Sequence, residues 1–215
     1  MTTRELNYKT LQTGAILGCL TVVAFVSLAL VAALPKESKT LQNLQTAYNA
    51  EANAYVHYLA FAERAQEDEY GEVASLFRAA ACAEHVHLKN LAAVIRKMGA
   101  EPAFRIDQPV PKTTWRNLKS SAELREAPER DALYPAFIEE AKAEGNPDAV
   151  RVFQYVRTAE IQHVKLFKAA LGNLKNMTAE SHLYYVCNVC GYTAEHPTKP
   201  CPGCSDPNAA YEEMF

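Results

Sequence analysis

Apolar positions recur every three or four residues along four long stretches of the chain, and each stretch predicts an amphipathic helix. Over residues 38–70 the stripe is Leu44, Ala47, Glu51, Tyr55, Tyr58 and Ala62. Over residues 72–98 it is Val73, Phe77, Ala80, Glu84, His87, Leu91, Val94 and Met98, with Gly99 placed as a C-terminal cap. Asn146-Pro147-Asp148 reads as an N-cap followed by a first-turn proline. It opens a helix whose stripe runs Ala149, Phe153, Val156, Glu160, His163, Phe167, Ala170 and Leu174. Residues 117–144 are less regular, and Pro128 is expected either to begin the regular helix there or to kink it. Short turns at Gly71 and Gly145 make two antiparallel hairpins. The 17 residues 100–116, with Pro102, Pro109 and Pro111, join them. At about 3.3 Å per residue they reach roughly 55 Å, enough to travel the length of a ~40 Å helix. The expected fold is an all-α four-helix bundle with one long crossover.

One segment carries no polar face. Residues 14–34, GAILGCLTVVAFVSLALVAAL, are 21 in a row without a charge, flanked by Arg4 and Lys9 before and Lys36 and Lys39 after. At about 1.5 Å per residue they cover roughly 30 Å, the thickness of a hydrocarbon core, so a single-pass membrane anchor is expected. A cleaved secretory signal ending near Val31-Ala32-Ala33 is the alternative, but such apolar regions usually run only about 7–15 residues. The charge bias puts the main domain on the outer, periplasmic face. The expected organisation is a tail at 1–13, the anchor or uncleaved signal at 14–34, the bundle at 38–176 and a cysteine-rich domain at 182–215.

Composition narrows the partners. With 49% apolar and 22% charged residues the chain can bury a core, and 22 Lys and Arg against 25 Asp and Glu give a net charge of −3. That balance argues against a nucleic-acid partner. Four of the six cysteines form two C-x-x-C pairs, metal-site spacing rather than a disulfide scaffold.

The chemistry lies in what interrupts the apolar stripes. A charged group on a core-facing stripe costs several kcal/mol unless something compensates it. Glu51 sits seven residues from both Leu44 and Tyr58 and points inward with them. Glu84 with His87, and Glu160 with His163, occupy inward registers one turn apart, close enough to share an ion. A lone inward Glu or His is more often a hydrogen-bonded core residue than a ligand. Two Glu-x-x-His helices with inward carboxylates on the other two are instead the di-iron arrangement of ferritin-like bundles. Residues 117–144 supply Glu126 and Glu129, with Glu123 and Glu126 as the rival pair. No inward Lys or Arg interrupts these stripes, so the cations must come from elsewhere. Two divalent ions would balance Glu51, Glu84, Glu126 and Glu160, and the mixed O/N donor set suits Fe or Mn better than Zn. Glu129 is then a surplus carboxylate that can ligate when oxidation raises the metal charge. Cys82 reads as a small buried apolar residue, His57 and His85 as surface or supporting groups, and Trp115 as a packing anchor.

In the tail, Cys187, Cys190, Cys201 and Cys204 have the spacing of one tetrahedral thiolate site, strong as a sign of metal and weak as to which metal. From about Thr40 onward the chain resembles the rubrerythrin family. The resemblance is carried by Asn43-Leu44 leading to Glu51, Phe77 with Glu84 and His87, Tyr134-Pro135, Glu160 with His163, and the rubredoxin-like Cys187, Cys190-Gly191-Tyr192, Cys201-Pro202 and Cys204. It implies a ferritin-like bundle joined to a rubredoxin-like domain. The implied activity is a non-haem di-iron peroxidase that reduces hydrogen peroxide to water in oxidative-stress defence. Electrons would pass through an Fe(Cys)4 centre, with Zn the other occupant, from a rubredoxin or an NAD(P)H-dependent reductase. The resemblance further implies a head-to-tail homodimer in which one subunit's tail serves the other's bundle. It makes Glu51, Glu84, Glu126, Glu160, His87 and His163 the di-iron ligands, Glu129 the redox-switching carboxylate, and Tyr58 and Tyr134 the tyrosines beside the metals. Three features depart from the family pattern: Arg125 where glycine is usual, Pro128 between the two acids, and a Leu118–Glu126 interval one residue longer than Leu44–Glu51. Ser205 likewise stands where rubredoxins tend to have glycine. A ferroxidase using the same site, and a non-catalytic scaffold with a zinc ribbon, are the rival functions.

Overall fold

The computed structural model describes residues 38–215. Helices α1 (Lys39–Glu67) and α2 (Gly71–Lys97) form the first hairpin. The third rod is continuous from α3 (Thr114–Ser120) through two π-helical stretches, Ser121–Glu126 and Glu129–Leu133, into α4 (Tyr134–Ala143). Helix α5 (Pro147–Asn173) completes the bundle. A three-stranded antiparallel sheet follows, with β1 (Tyr184–Cys187) between β2 (Thr193–Ala194) and β3 (Tyr211–Met214).

The helix ends follow their local chemistry. Asn146 caps α5 by accepting from the Ala149 amide at 3.0 Å, and Gly99 and Gly145 turn the chain at φ +82° and +68°. Ser38 caps α1 by accepting from the Leu41 amide. The same N-terminus is held across the bundle by Glu144, at the end of α4. This carboxylate accepts from Ser38 Oγ at 2.6 Å and from the Lys39 and Thr40 amides at 3.0 and 3.1 Å. Those bonds, with that from Ser38 foremost, draw Glu144 down to about 2.

The crossover is tied to α1 by a polar ladder. Gln45, Asn49, Asn53 and His57, four residues apart on α1, face the extended backbone of residues 101–107. Gln45 donates to the Glu101 carbonyl and accepts from the Ala103 amide. Asn49 accepts from the Arg105 amide. Asn53 donates to the Arg105 carbonyl and accepts from the Asp107 amide. The periods agree, because four helical residues rise about 6.0 Å and two extended residues advance about 6.6 Å. A carboxamide row therefore satisfies a strand-like segment as a neighbouring strand would.

Pro128 neither begins the third helix nor breaks it. It sits at φ −62°, ψ −37° between the π stretches, where its missing N–H removes one bond from a ladder already shifted in register. The widened turns absorb the extra residue noted in the sequence, as π-bulges do. Leu118, Glu126 and Tyr134, successively eight apart, are all fully buried. The rod begins three residues earlier than expected, and Trp115 corrects its reading as a packing anchor. It is 47% exposed with the Lys119 ammonium above its ring, because Thr114, Asn117 and Leu118 take the inward face instead.

The apolar core lies in two blocks. One gathers Tyr58, Phe61, Phe77, Leu118 and Phe167; the other gathers Leu44, Leu91, Tyr134, Phe137, Phe153 and Val156. Between them the inward positions of all four rods are polar.

Residues 1–13 and the apolar segment 14–34 lie outside the described residues. The expected membrane-anchored, periplasmic-facing localisation is corrected: among the described residues no helix is long and apolar enough to cross a membrane. The long helices α1, α2 and α5 carry charged side chains on most of their turns.

Candidate metal centres

Two overlapping sets of donors meet in the polar layer. Glu51, Glu84, His87 and Glu160 form one, and Glu84, Glu126, Glu160 and His163 the other, each with ligand atoms within 4.8 Å of one another. All six residues are at most 1% exposed. His87 Nδ1 lies 2.6 Å from Glu84 and 3.5 Å from Glu51. His163 Nδ1 lies 3.3 Å from Glu160, 3.5 Å from Glu126 and 3.7 Å from Glu84. Glu84 and Glu160 thus belong to both sets, as bridging carboxylates would.

The far nitrogens of both imidazoles decide which face is bare. His87 Nε2 is 3.2 Å from the Cys190 carbonyl, which can only accept, so Nε2 carries the proton and Nδ1 presents a lone pair to the acids. His163 Nε2 lies 3.2 Å from Thr193 Oγ1, whose hydroxyl donates onward to the Gly191 carbonyl. Its Nδ1 is bare for the same reason.

These donors fit a pair of cations. Glu126 Oε2, both oxygens of Glu160 and His163 Nδ1 are buried without a hydrogen-bond partner, and so many orphaned acceptors in one dry layer are costly unless an ion joins them. Burial and the neighbouring Glu51 charge push Glu84 well up. Burial acts on Glu51 in the same sense, but the adjacent His87 and the hydrogen bond from Glu84 outweigh it and hold Glu51 low. One carboxyl of that pair therefore holds a proton that a metal would displace.

Tyrosines brace the layer reciprocally. Tyr58 of α1 donates to Glu126 of the third rod, and Tyr134 at the start of α4 donates to Glu51 of α1. Burial, then the adjacent carboxylate, pushes both phenols well up, so they remain protonated donors.

Of the three third-rod acids, the structure brings only Glu126 into a donor set. Glu126 is in the layer, while Glu123 is exposed and paired with Lys119 on the surface. Glu129 belongs to neither donor set. It is half-buried and lines a surface cleft of about 430 Å³ with Leu124, Arg125 and Pro128. Burial, then the charges of Glu51 and Glu126, pushes its carboxyl well up. Cys82 is half-buried rather than buried, beside Glu212 in a separate cleft, and burial pushes its thiol up to about 12. His85 is exposed.

The four tail cysteines form a second centre. Their sulfurs lie within 4.8 Å of one another, with Cys187 and Cys204 3.9 Å apart and Cys190 and Cys201 3.7 Å apart. A tetrahedron of ~2.3 Å metal–sulfur bonds has edges of about 3.8 Å. Ser205 adopts φ +58° after the second knuckle, taking the left-handed turn that glycine would adopt without strain.

The tail reaches the bundle of its own chain, where the family resemblance implies a partner subunit's tail. The linker is bonded to α2 through Ala179 to Glu72 and His182 to Ser75. Gly71 admits its backbone, since a Cβ there would meet the Glu180 carbonyl at 2.1 Å. Gly191 is equally tight, because its Cβ would fall 2.4 Å from His87 Nε2. Periodicity could not reveal the Cys190, Gly191 and Thr193 contacts, which join residues about a hundred or thirty apart. The α1 row of Gln45, Asn49, Asn53 and His57 was visible as polar residues at a step of four.

Comparison with known proteins agrees with this geometry. The rubrerythrin family profile matches residues 42–171. Nigerythrin of Nitratidesulfovibrio vulgaris is 34% identical over 176 residues, covering 80% of this chain and 85% of nigerythrin. Rubrerythrin-2 of Clostridium acetobutylicum is 30% identical, covering 79% and 93%. The fully reduced, all-ferrous nigerythrin structure superimposes with a TM-score of 0.73 at 31% identity, over 85% of this chain and 91% of that one. With its helical bundle, its di-iron site and its four-cysteine cluster, the chain belongs to the rubrerythrin family.

Proposed function

We propose that this rubrerythrin-type oxidoreductase reduces hydrogen peroxide to water, taking two electrons and two protons per peroxide, with the four-cysteine centre holding iron. Glu51, Glu84 and His87 would hold one iron of the bundle, Glu126, Glu160 and His163 the other, with Glu84 and Glu160 reaching both. When bound, the irons supply Lewis acidity and the two electrons that cleave the O–O bond. The protein's own residues do the rest. Tyr58 and Tyr134 keep protons at their phenolic oxygens against Glu126 and Glu51, holding those acids in place. The two apolar blocks exclude water from the layer. Glu129, at the cleft, would be the carboxylate that joins the ligands when oxidation raises the metal charge. Cys190 joins the two centres through one hydrogen bond, from His87 to its carbonyl. Electrons are proposed to arrive from a rubredoxin or an NAD(P)H-dependent reductase.

The observation that supports this most is the cluster of orphaned carboxylate oxygens and a bare imidazole nitrogen in a dry layer, one contact from a thiolate site. The test is an anaerobic metal count with an optical spectrum, followed by peroxide addition in the presence of a reduced donor. About three irons per chain and donor consumed in step with peroxide are expected. One zinc and no iron would sink the reading, and ferrous oxidation without donor use would turn it toward a ferroxidase.

A further inference from the structure

Arg125 lies in the first π-helical stretch, one residue before Glu126 and four before Glu129. Its guanidinium is anchored by neutral groups. Nη2 donates to His57 Nδ1 at 2.7 Å, and the guanidinium carbon stands 6.0 Å from the centre of the Tyr58 ring, within cation–π range. His57 is itself fixed, because its Nε2–H faces the Asp107 carbonyl at 3.3 Å and leaves Nδ1 as the acceptor. The chain therefore holds a half-buried cation on a built support beside the di-iron layer. Arg125 and Glu129, an i,i+4 pair, line the same cleft, and the acids acting on the guanidinium through space include Glu129, Glu126 and Glu84.

We propose that Arg125 is a positioning residue for Glu129: anchored on His57 and Tyr58, its charge draws the Glu129 carboxylate toward the cleft and off the metal site, favouring the ferrous pair. The inference rests on the reading of Glu129 as the carboxylate that ligates on oxidation. The sign follows from charge, with bound irons balancing the neighbouring acids and leaving Glu129 ionised. Each iron loses one electron on oxidation, the added positive charge attracts Glu129, and Arg125 pulls the same carboxylate the other way. Its removal therefore favours the ferric state.

The test is a redox titration of the di-iron absorption in the iron-loaded full chain, read as a midpoint potential. Arg125→Gln is expected to shift the equilibrium about tenfold toward ferric iron, 59 mV for a one-electron couple. Arg125→Lys, which keeps the charge without the fork, recovers part of that shift and serves if the Gln variant folds poorly. In a Glu129→Gln background the Arg125 effect should vanish. An unshifted potential in Arg125→Gln overturns the proposal, and so does an undiminished shift in the Glu129→Gln background, where Arg125 would act by charge alone. If Glu129→Gln by itself has the wild-type potential, the reading of Glu129 fails instead, a separate result.

Discussion

At the scale of single residues, the donors of the metal layer are a liability to the metal-free protein and an asset only when loaded. Glu160 shows this most directly, since both its oxygens are buried and unpartnered. A carboxamide there would place an N–H among orphaned acceptors. Glu160→Gln is therefore expected to raise the stability of the metal-free chain by about 1–2 kcal/mol while iron binding falls sharply. Denaturant unfolding with and without iron checks both halves, and full iron loading in the variant would remove Glu160 from the proposed ligands. The inward acids and imidazoles were legible because each stood in an apolar register. Whether Glu129 or Glu123 accompanies Glu126 was not, because a regular 3.6-residue period misplaces every residue beyond the extra one. Thr193 gave no signal, and Arg125 and Gly191 stood out only against the family pattern, since what matters about them is a neighbour far along the chain.

At the scale of elements, the third rod shows how a helix absorbs an inserted residue without losing its inward face. Leu124 is 76% exposed within the first π stretch, so deleting it should let that stretch relax toward α geometry. The bundle and its iron content are expected to survive. Deleting Thr46, between Leu44 and Glu51 in regular α1, has no widened turn to absorb it and rotates Glu51 by about 100° relative to Leu44. Iron analysis of the two variants compares them, and equal losses would refute the buffering role of the π turns. Glu144 supplies a second element-level expectation. Its folded value is about 2 against an ordinary 4.5. The stabilisation it brings to the start of α1 is therefore complete above pH 4.5 and is lost as the pH falls toward 2. Glu144→Gln should lower the melting temperature at neutral pH, with the difference from wild type shrinking across that window. A constant difference from about pH 6 to about pH 2 would show the charge to be irrelevant. The α1 ladder belongs to this scale too. A crossover was legible from its prolines and its length, but its attachment depended on the coincidence of helical and extended repeats.

At the scale of the whole molecule, the tail sits where it can both orient and supply the bundle. Cys190 and Thr193 each meet the far nitrogen of a layer imidazole, so one short turn addresses both halves of the site. Gly191 makes that approach possible through φ +79° and the lack of a Cβ. Gly191→Ala should push the turn off His87 and slow the proposed electron transfer between the centres by about tenfold or more, with iron content unchanged. Stopped-flow reduction followed at the two chromophores measures it, and an unaltered rate would show that the Cys190 contact is not the route.

The sequence by itself determined the helical bundle, its crossover, the inward acids and imidazoles and the four-cysteine tail. Each of these is a local pattern: a period set by backbone geometry, or a spacing set by a metal's coordination. Tertiary structure decided the widened turns that keep Glu126 in the layer, the cation and cleft beside Glu129, and the docking of the tail on the imidazoles. Those outcomes depend on contacts between residues distant along the chain, which compete through packing and desolvation rather than through any repeat.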